Sequence, residues 1–260
     1  MPLDLRLLAV TKVALITGAS AGLGVEFARQ LSKRGYRLVL AARRKERLEN
    51  LAAELGNARA LAIDLSKANA AAKLMADLAA NGETVDLLVN NAGFGLIGKF
   101  AELDSKRLRQ MIDLNVGTLT DLCRAIAPEM IARRSGGIIN VASTAAFQPG
   151  PKMAVYFATK AFVLSLTEAL HEELKPHGVH VTCLCPGPTR TEFGDVAGFG
   201  GNAMFDRVAM DSPEVVSAGL QGLDRNSAVV VPGLLNKLGA SATRFAPRPV
   251  VRKIAGAIKY

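Results

Sequence analysis

The sequence predicts an α/β fold, a single domain built on one doubly wound parallel sheet of about seven strands. Three observations carry that expectation. Short apolar runs alternate with longer stretches of helical period along most of the chain. Those stretches are long enough for crossover helices, which join parallel strands and cover a sheet on both faces. The 260 residues, 50% apolar and 21% charged, suffice for one large core and exclude a disordered or collagen-like chain.

In chain order the strand candidates are residues 13–16, 38–40, 61–63, 87–89, 138–141, 179–184 and 229–231. Between them, residues 22–34, 44–55 and 105–134 have the length and period of helices. A sheet of this kind holds its ligand in the crevice at the carboxyl ends of the strands. Residues 186–211 break the rhythm, being rich in Gly and Pro with Phe193, Phe199, Met204 and Phe205 among polar residues. A lid over 188–211 is the expectation. It ends at Ser212-Pro213-Glu214, which reads as an N-cap, a proline in the first helical position and an acid in the first turn. Residues 1–233 thus hold the main fold, and 234–260 form a basic C-terminal extension of the same domain.

The net charge of +9 suggests nucleic acid until it is mapped. No acid follows Asp224, and seven cations do: Arg225, Lys237, Arg244, Arg248, Arg252, Lys253 and Lys259. Without them 25 basic residues face 23 acidic ones, so the body is nearly neutral and nucleic-acid binding is not expected. Cys123, Cys183 and Cys185 are an odd count in a chain too large to need staples, which points to a reducing, cytoplasmic compartment. Cys183 and Cys185 share one face of a strand, but no second pair stands at ligand spacing, so buried thiols are expected and no metal. Residues 1–10 are too short for a signal core and are broken by Asp4 and Arg6. No stretch reaches the ~18 apolar residues of a spanning helix.

At the first strand, Lys12 to Thr17 runs into Gly18-Ala19-Ser20-Ala21-Gly22-Leu23-Gly24 and then a helix. Glycines there let backbone N–H groups approach a pyrophosphate, and the helix N-terminus adds positive partial charge; a merely tight turn is the alternative. The second strand ends Leu40-Ala41-Ala42-Arg43-Arg44, without the carboxylate that accepts a ribose 2′-hydroxyl in NAD sites. Guanidiniums there suit a 2′-phosphate and so NADPH, though a solvated basic helix start has the same composition. Asp64, after the third strand, could accept from an adenine amino group or cap a helix. Asn90-Asn91-Ala92-Gly93, after the fourth, looks like a turn closing over a cofactor, and turn chemistry alone would also favour Asn and Gly.

Tyr156 and Lys160, four apart, share one face of a helix. An ammonium nearby favours the phenolate, which would bring a tyrosine toward general acid or base work. Ser143, just past the fifth strand, could orient a carbonyl toward that tyrosine. Asn115 is a poor helix former inside a long helical segment, which suggests a kink or a bound water as well as simple packing.

Together these residues resemble the short-chain dehydrogenase/reductase superfamily, in family order and over nearly the whole chain: Thr17-Gly18-x-x-x-Gly22-x-Gly24, Asp64, Asn90-Asn91-Ala92-Gly93, Asn115, Ser143, Tyr156-x-x-x-Lys160 and Pro186-Gly187. The resemblance implies a Rossmann-type fold and an enzyme using NADP(H). It implies Tyr156 as proton donor or acceptor, Ser143 as carbonyl partner, Lys160 on the nicotinamide ribose and depressing the Tyr156 pKa, and Asn115 holding a relay water. It places Gly18, Ser20, Gly22, Leu23, Gly24, Asp64, Leu65, Asn91, Ala92 and Gly93 along the cofactor, with Arg43 as 2′-phosphate ligand. Pro186, Gly187, Thr189 and Thr191 would meet the carboxamide, and a homodimer or homotetramer is the expected assembly. Pro188 and the longer, basic tail depart from the family pattern.

Hydride transfer between NADPH and a small carbonyl or alcohol is the leading reading. Phe94, Phe147, Met153 and Phe193 near the crevice suggest an apolar substrate, such as a steroid or a long-chain ketoacyl group. A nucleotide sensor without turnover would not need Tyr156, Lys160, Ser143 and Asn115 together. A membrane-surface role for Val250, Val251, Ile254 and Ile258 beside Arg252, Lys253 and Lys259 is the least favoured reading, since an oligomer arm or a cap over the lid explains that tail as well.

Overall fold

The computed structural model describes residues 12–192 and 209–257. Among them, strands β1 (Val13–Thr17), β2 (Arg37–Ala42), β3 (Ala58–Ala62), β4 (Val85–Asn90), β5 (Gly136–Val141), β6 (Val179–Leu184) and β7 (Val229–Val230) form one sheet in the order β3-β2-β1-β4-β5-β6-β7. Every neighbouring pair is parallel. Parallel neighbours need crossovers, supplied by α1 (Gly22–Lys33), α2 (Lys45–Leu55), α3 (Ala70–Ala80), α4 (Ser105–Ile112), α5 (Leu119–Arg133), α6 (Ala154–Leu174) and α7 (Ser212–Asp224). Helices α8 (Leu234–Phe245) and α9 (Arg248–Ala257) follow β7. Strand order reverses between β3 and β4, so a crevice opens where the carboxyl ends of β1 and β4 part.

Successive strand residues point to opposite faces, and the core divides accordingly. On one face Leu15, Val39, Leu88 and Val181 pack with Leu74 and Leu78 of α3, Ile126 of α5 and Val163 of α6. On the other, Ile16, Leu38, Leu40 and Val89 pack with Phe27 and Leu31 of α1, Leu48 of α2 and Leu220 of α7. Both faces being covered explains the unbroken apolar runs of the strands.

Most strands differ from the sequence expectation by a residue or two at their ends, and three differences have a structural reason. The third strand is 58–62 rather than 61–63, because pairing with β2 from Leu38↔Ala58 to Ala42↔Ala62 sets its limits while apolar weight sits later, at Leu61 and Ile63. The helix expected over 105–134 is broken: Asp113–Thr118 is a π-helical turn between α4 and α5. At α7 the cap is Asp211, and Ser212 is the first helical residue because its hydroxyl donates to the Arg190 carbonyl at 3.1 Å.

The chain leaves β6 through Pro186-Gly187-Pro188 and returns at Met210. There Arg190 N donates to Met210 O at 3.0 Å and Met210 N to Pro188 O at 2.9 Å. Phe193, Phe199, Met204 and Phe205, and with them most of the expected lid, lie outside the described residues. So do residues 1–11 and Ile258.

Candidate active site

The crevice begins at Thr17. Its hydroxyl donates to Val89 O at 3.2 Å and accepts from Asn91 N and Ala92 N, both at 3.0 Å, which ties the end of β1 to the turn after β4. Asn91 returns the tie through Nδ2 to Thr17 O at 3.0 Å. Gly18 lies in the left-handed region at φ 68°. A Cβ on Gly24 would stand 2.2 Å from the Gly18 carbonyl oxygen, so α1 reaches this turn only with glycine at that position. No side chain caps α1. Of its first amides Gly24 N turns back to Ala21 O at 3.2 Å, and no side chain takes the others, at the positive end of the helix dipole.

Arg43 and Arg44 leave the end of β2 for different tasks. Arg44 donates to Ser20 Oγ at 3.1 Å and to Glu192 Oε2 at 2.8 Å, and Arg47 holds the other Glu192 oxygen at 2.6 Å. Arg43 lines the cleft beside Asp64. Asp64 Oδ1 accepts from Ser66 N at 3.0 Å and Ser66 Oγ at 2.7 Å, a local turn-capping arrangement. Its burial, which favours the neutral acid, is outweighed by these bonds and by Arg43 and Lys67, so the carboxyl is held below its ordinary range.

Ser143 caps the single turn Thr144–Phe147, its Oγ accepting from Ala145 N at 3.1 Å. The hydroxyl also hydrogen-bonds Tyr156 on α6. Lys160, one turn further along α6, is buried, and its Nζ donates to Val141 O at 2.8 Å. Burial pushes the Tyr156 phenol up to about 12, with the Ser143 bond pulling the other way. Burial likewise pulls the Lys160 ammonium down to about 8, against the pull of Cys183 and Cys185. The expected depression of the Tyr156 pKa by Lys160 is thus not what the protein alone produces. The ammonium stands 5.8 Å from the ring centroid, and desolvation of the phenolate dominates.

Cys183 and Cys185 are buried thiols with Sγ atoms 3.6 Å apart, and among the described residues no group of His, Cys, Asp or Glu is arranged to hold a metal. Asn115 sits in the π-helical turn. Its Oδ1 accepts from Phe94 N at 3.1 Å, and its Nδ2 donates to Phe94 O at 3.0 Å and Thr159 Oγ1 at 3.2 Å. The side chain is a clamp holding the turn after β4 against α6.

One cleft of about 570 Å³ collects these groups. Every expected site residue lines it except Gly24 and Asn115, which stand behind its wall. Thr191 packs its Cβ 3.0 Å from where a Gly22 Cβ would be, joining the loop after β6 to the glycine-rich turn. Phe94 and Met153 line the cleft as expected, whereas Phe147 is half-buried and packs against the core instead. Phe157 takes the lining place instead, its ring edge-on to Tyr156 at 6.1 Å. Sequence reasoning missed Phe157, Gln148 and Glu192. Helical spacing from Tyr156 gives no hint of Phe157, and the pairing of Glu192 with Arg44 spans 148 residues.

The donor set fits a dinucleotide: a helix start without a side-chain cap and left-handed glycines at one end, with Arg43 on the same cleft, and a Ser–Tyr–Lys group at the other. Comparison with known proteins agrees. The family model described as short chain dehydrogenase matches residues 12–197. Serine 3-dehydrogenase of Agrobacterium fabrum is 38% identical over 181 residues, covering 69% of this chain and 72% of that protein. A short-chain dehydrogenase from Sphingobium yanoikuyae solved in complex with NADPH superposes with a TM-score of 0.82 at 35% identity, over 96% of each chain. The bulky-bulky ketone specific alcohol dehydrogenase from Comamonas testosteroni superposes with a TM-score of 0.75 at 30% identity, over 95% of each chain.

Proposed function

This chain belongs to the short-chain dehydrogenase/reductase family of oxidoreductases, and from that premise we propose that it reduces a bulky, apolar carbonyl compound with NADPH. The observation that carries the reading is the pairing of Ser143 with a buried, protonated Tyr156 in the same cleft as Arg43 and the uncapped amides of α1. When bound in this cleft, NADPH would supply the hydride. The protein's share is the proton at oxygen. Ser143 Oγ and Tyr156 Oη together would receive the carbonyl oxygen, and Tyr156 gives up its proton as negative charge develops there. A phenol held protonated by burial can donate that proton to the developing alkoxide. Lys160 spends one donor on Val141 O and keeps two of its three N–H groups, enough to hold a ribose and to stabilise the phenolate once the proton has left. Phe94, Met153 and Phe157 favour a bulky apolar substrate over the polar one named for the Agrobacterium relative. An assembly of two or four chains in the cytoplasm completes the proposal.

The cofactor is the sharpest test. With Arg43 free of the turn that engages Arg44, a charge-assisted contact of about 1.5–3 kcal/mol to a 2′-phosphate predicts a tenfold to hundredfold preference for NADPH over NADH, falling as salt rises. Arg43→Ala should remove most of it. Ala42→Asp added to that variant should turn the preference toward NADH, since the new carboxylate accepts from a 2′-hydroxyl and repels a phosphate. Equal kcat/KM for both cofactors in the parent protein would withdraw the NADP assignment.

A further inference from the structure

Helix α8 is seated the wrong way round for a surface helix. Such helices bury an apolar stripe spaced three and four residues apart and show polar residues to water. In α8 the inward positions are Asn236, Ala240 and Thr243, which are half-buried or buried. The outward ones are Leu234, Leu235, Leu238 and Phe245, exposed to 72%, 80%, 57% and 87%. Helix α9, two residues further along the chain, also leaves apolar residues outside: Val251 and Ala255 are buried, and Val250 and Ile254 are exposed to 46% and 63%.

The rim of this face is cationic. Lys237, Arg244, Arg248, Arg252 and Lys253 are exposed on the same two helices, and the sequence holds no acid beyond Asp224. The surface also adjoins the cleft. A Cβ on Gly187, a cleft residue, would stand 2.4 Å from the Asn236 amide, and one on Gly256 would stand 3.6 Å from the Pro151 ring, just before the cleft residue Met153.

We propose that α8 and α9 form a docking surface for an anionic lipid membrane, holding the mouth of the cleft close to the bilayer. Leucine and phenylalanine on one side of a short helix with lysine and arginine flanking them is the pattern that inserts at the boundary between headgroups and acyl chains. Among the described residues no helix is long and apolar enough to cross, so the helices lie on the membrane rather than span it. A second copy of the chain is the poorer occupant. A two-fold contact places a patch against itself, which here sets the five cations of one copy against those of the other, with no carboxylate on either helix. Anionic headgroups match both the charge and the apolar stripe.

The test uses the whole chain and reads binding, so it stands apart from the reductase reading and from any failure of it. Co-sedimentation is measured with vesicles of phosphatidylglycerol and phosphatidylcholine, and with phosphatidylcholine alone. Binding to the anionic vesicles is expected, weaker by at least tenfold on neutral ones and falling as salt rises. Two variants, Leu235→Ser/Leu238→Ser/Phe245→Ser and Lys237→Gln/Arg244→Gln/Arg252→Gln, should each lose at least tenfold while keeping the parent's melting temperature and its mass by light scattering. Absence of binding to anionic vesicles, equal binding to both kinds, or undiminished binding by both variants overturns the proposal. So does a fall in assembly mass in the apolar variant, which would show that a second copy covers the face.

Discussion

Tyr156 and Lys160 show how one burial acts on two groups in opposite senses. Removal from water disfavours whichever form is charged, so the phenol is pushed up to about 12 and the ammonium down to about 8. Tyr156→Phe removes the proton and keeps the shape. Turnover should fall by about 10²–10⁴ while NADPH binds nearly as before, and retention of most of kcat would sink the acid–base role. Lys160 carries a desolvation cost that the proposed chemistry would need and stability does not. Lys160→Met should therefore stabilise the protein at pH 7, by on the order of 1–3 kcal/mol, while abolishing turnover. The sign with pH follows from a folded pKa below the unfolded one. The cost of the charged lysine is complete below about pH 8, shrinks as the folded group deprotonates, and is gone once the unfolded lysine also loses its proton near 10.5. Denaturant melts of both proteins at pH 7 and pH 10 should show the gap narrowing, and a gap that widens would refute the assignment.

At the scale of elements, the glycine-rich turn and the π-helical turn do comparable work in fixing the distance between a helix and the site. Gly24 lets α1 approach the Gly18 carbonyl, and a methyl group there meets backbone rather than a side chain that could swing away. Gly24→Ala should cost about 1–3 kcal/mol by overpacking and weaken NADPH binding at the same time. Gly239→Ala in α8, where a Cβ meets nothing within 4 Å, is the control and should be neutral or slightly stabilising. Melting temperatures that fall equally in both variants would contradict this account. Asn115 serves the π-helical turn in a different way, since both ends of its amide are bound to the Phe94 backbone and the helix opens around it.

For the whole molecule, the sheet order puts the cleft at the junction of β1 and β4, where groups from both halves of the fold meet. Thr17 and Asn91 bond across that junction, and Thr191 closes on Gly22 from the loop after β6. A ligand spanning the junction binds only the folded chain and must stabilise all of it. NADPH at a hundred times its Kd should add about 2.7 kcal/mol to the unfolding free energy. For a domain of this size that is a rise in Tm of roughly 5–10 °C. NADH at the same concentration should add about 1.4 kcal/mol less for each tenfold of weaker binding. Thermal shifts of equal size with the two cofactors would speak against a 2′-phosphate contact, and no shift with either would speak against the junction site.

What the sequence determined by itself is what depends on covalent spacing. Apolar runs with helical stretches between them specify parallel strands covered on both faces. The glycines at 18, 22 and 24 mark a turn where backbone comes close, and a separation of four puts Tyr156 and Lys160 on one side of a helix. Asn115 was legible as a disturbance in a helix, though not as a clamp on Phe94. Tertiary structure alone decided the rest, because those matters turn on which distant groups share a neighbourhood and how much water is left there. Pairing with β2 set the limits of β3, packing turned Phe147 against the core and Phe157 to the cleft, and the fold brought Glu192 across to Arg44. The same cause reversed the expected shift of Tyr156. Its spacing from Lys160 is written in the chain, but the desolvation that outweighs the ammonium exists only once the sheet and α6 have closed around them.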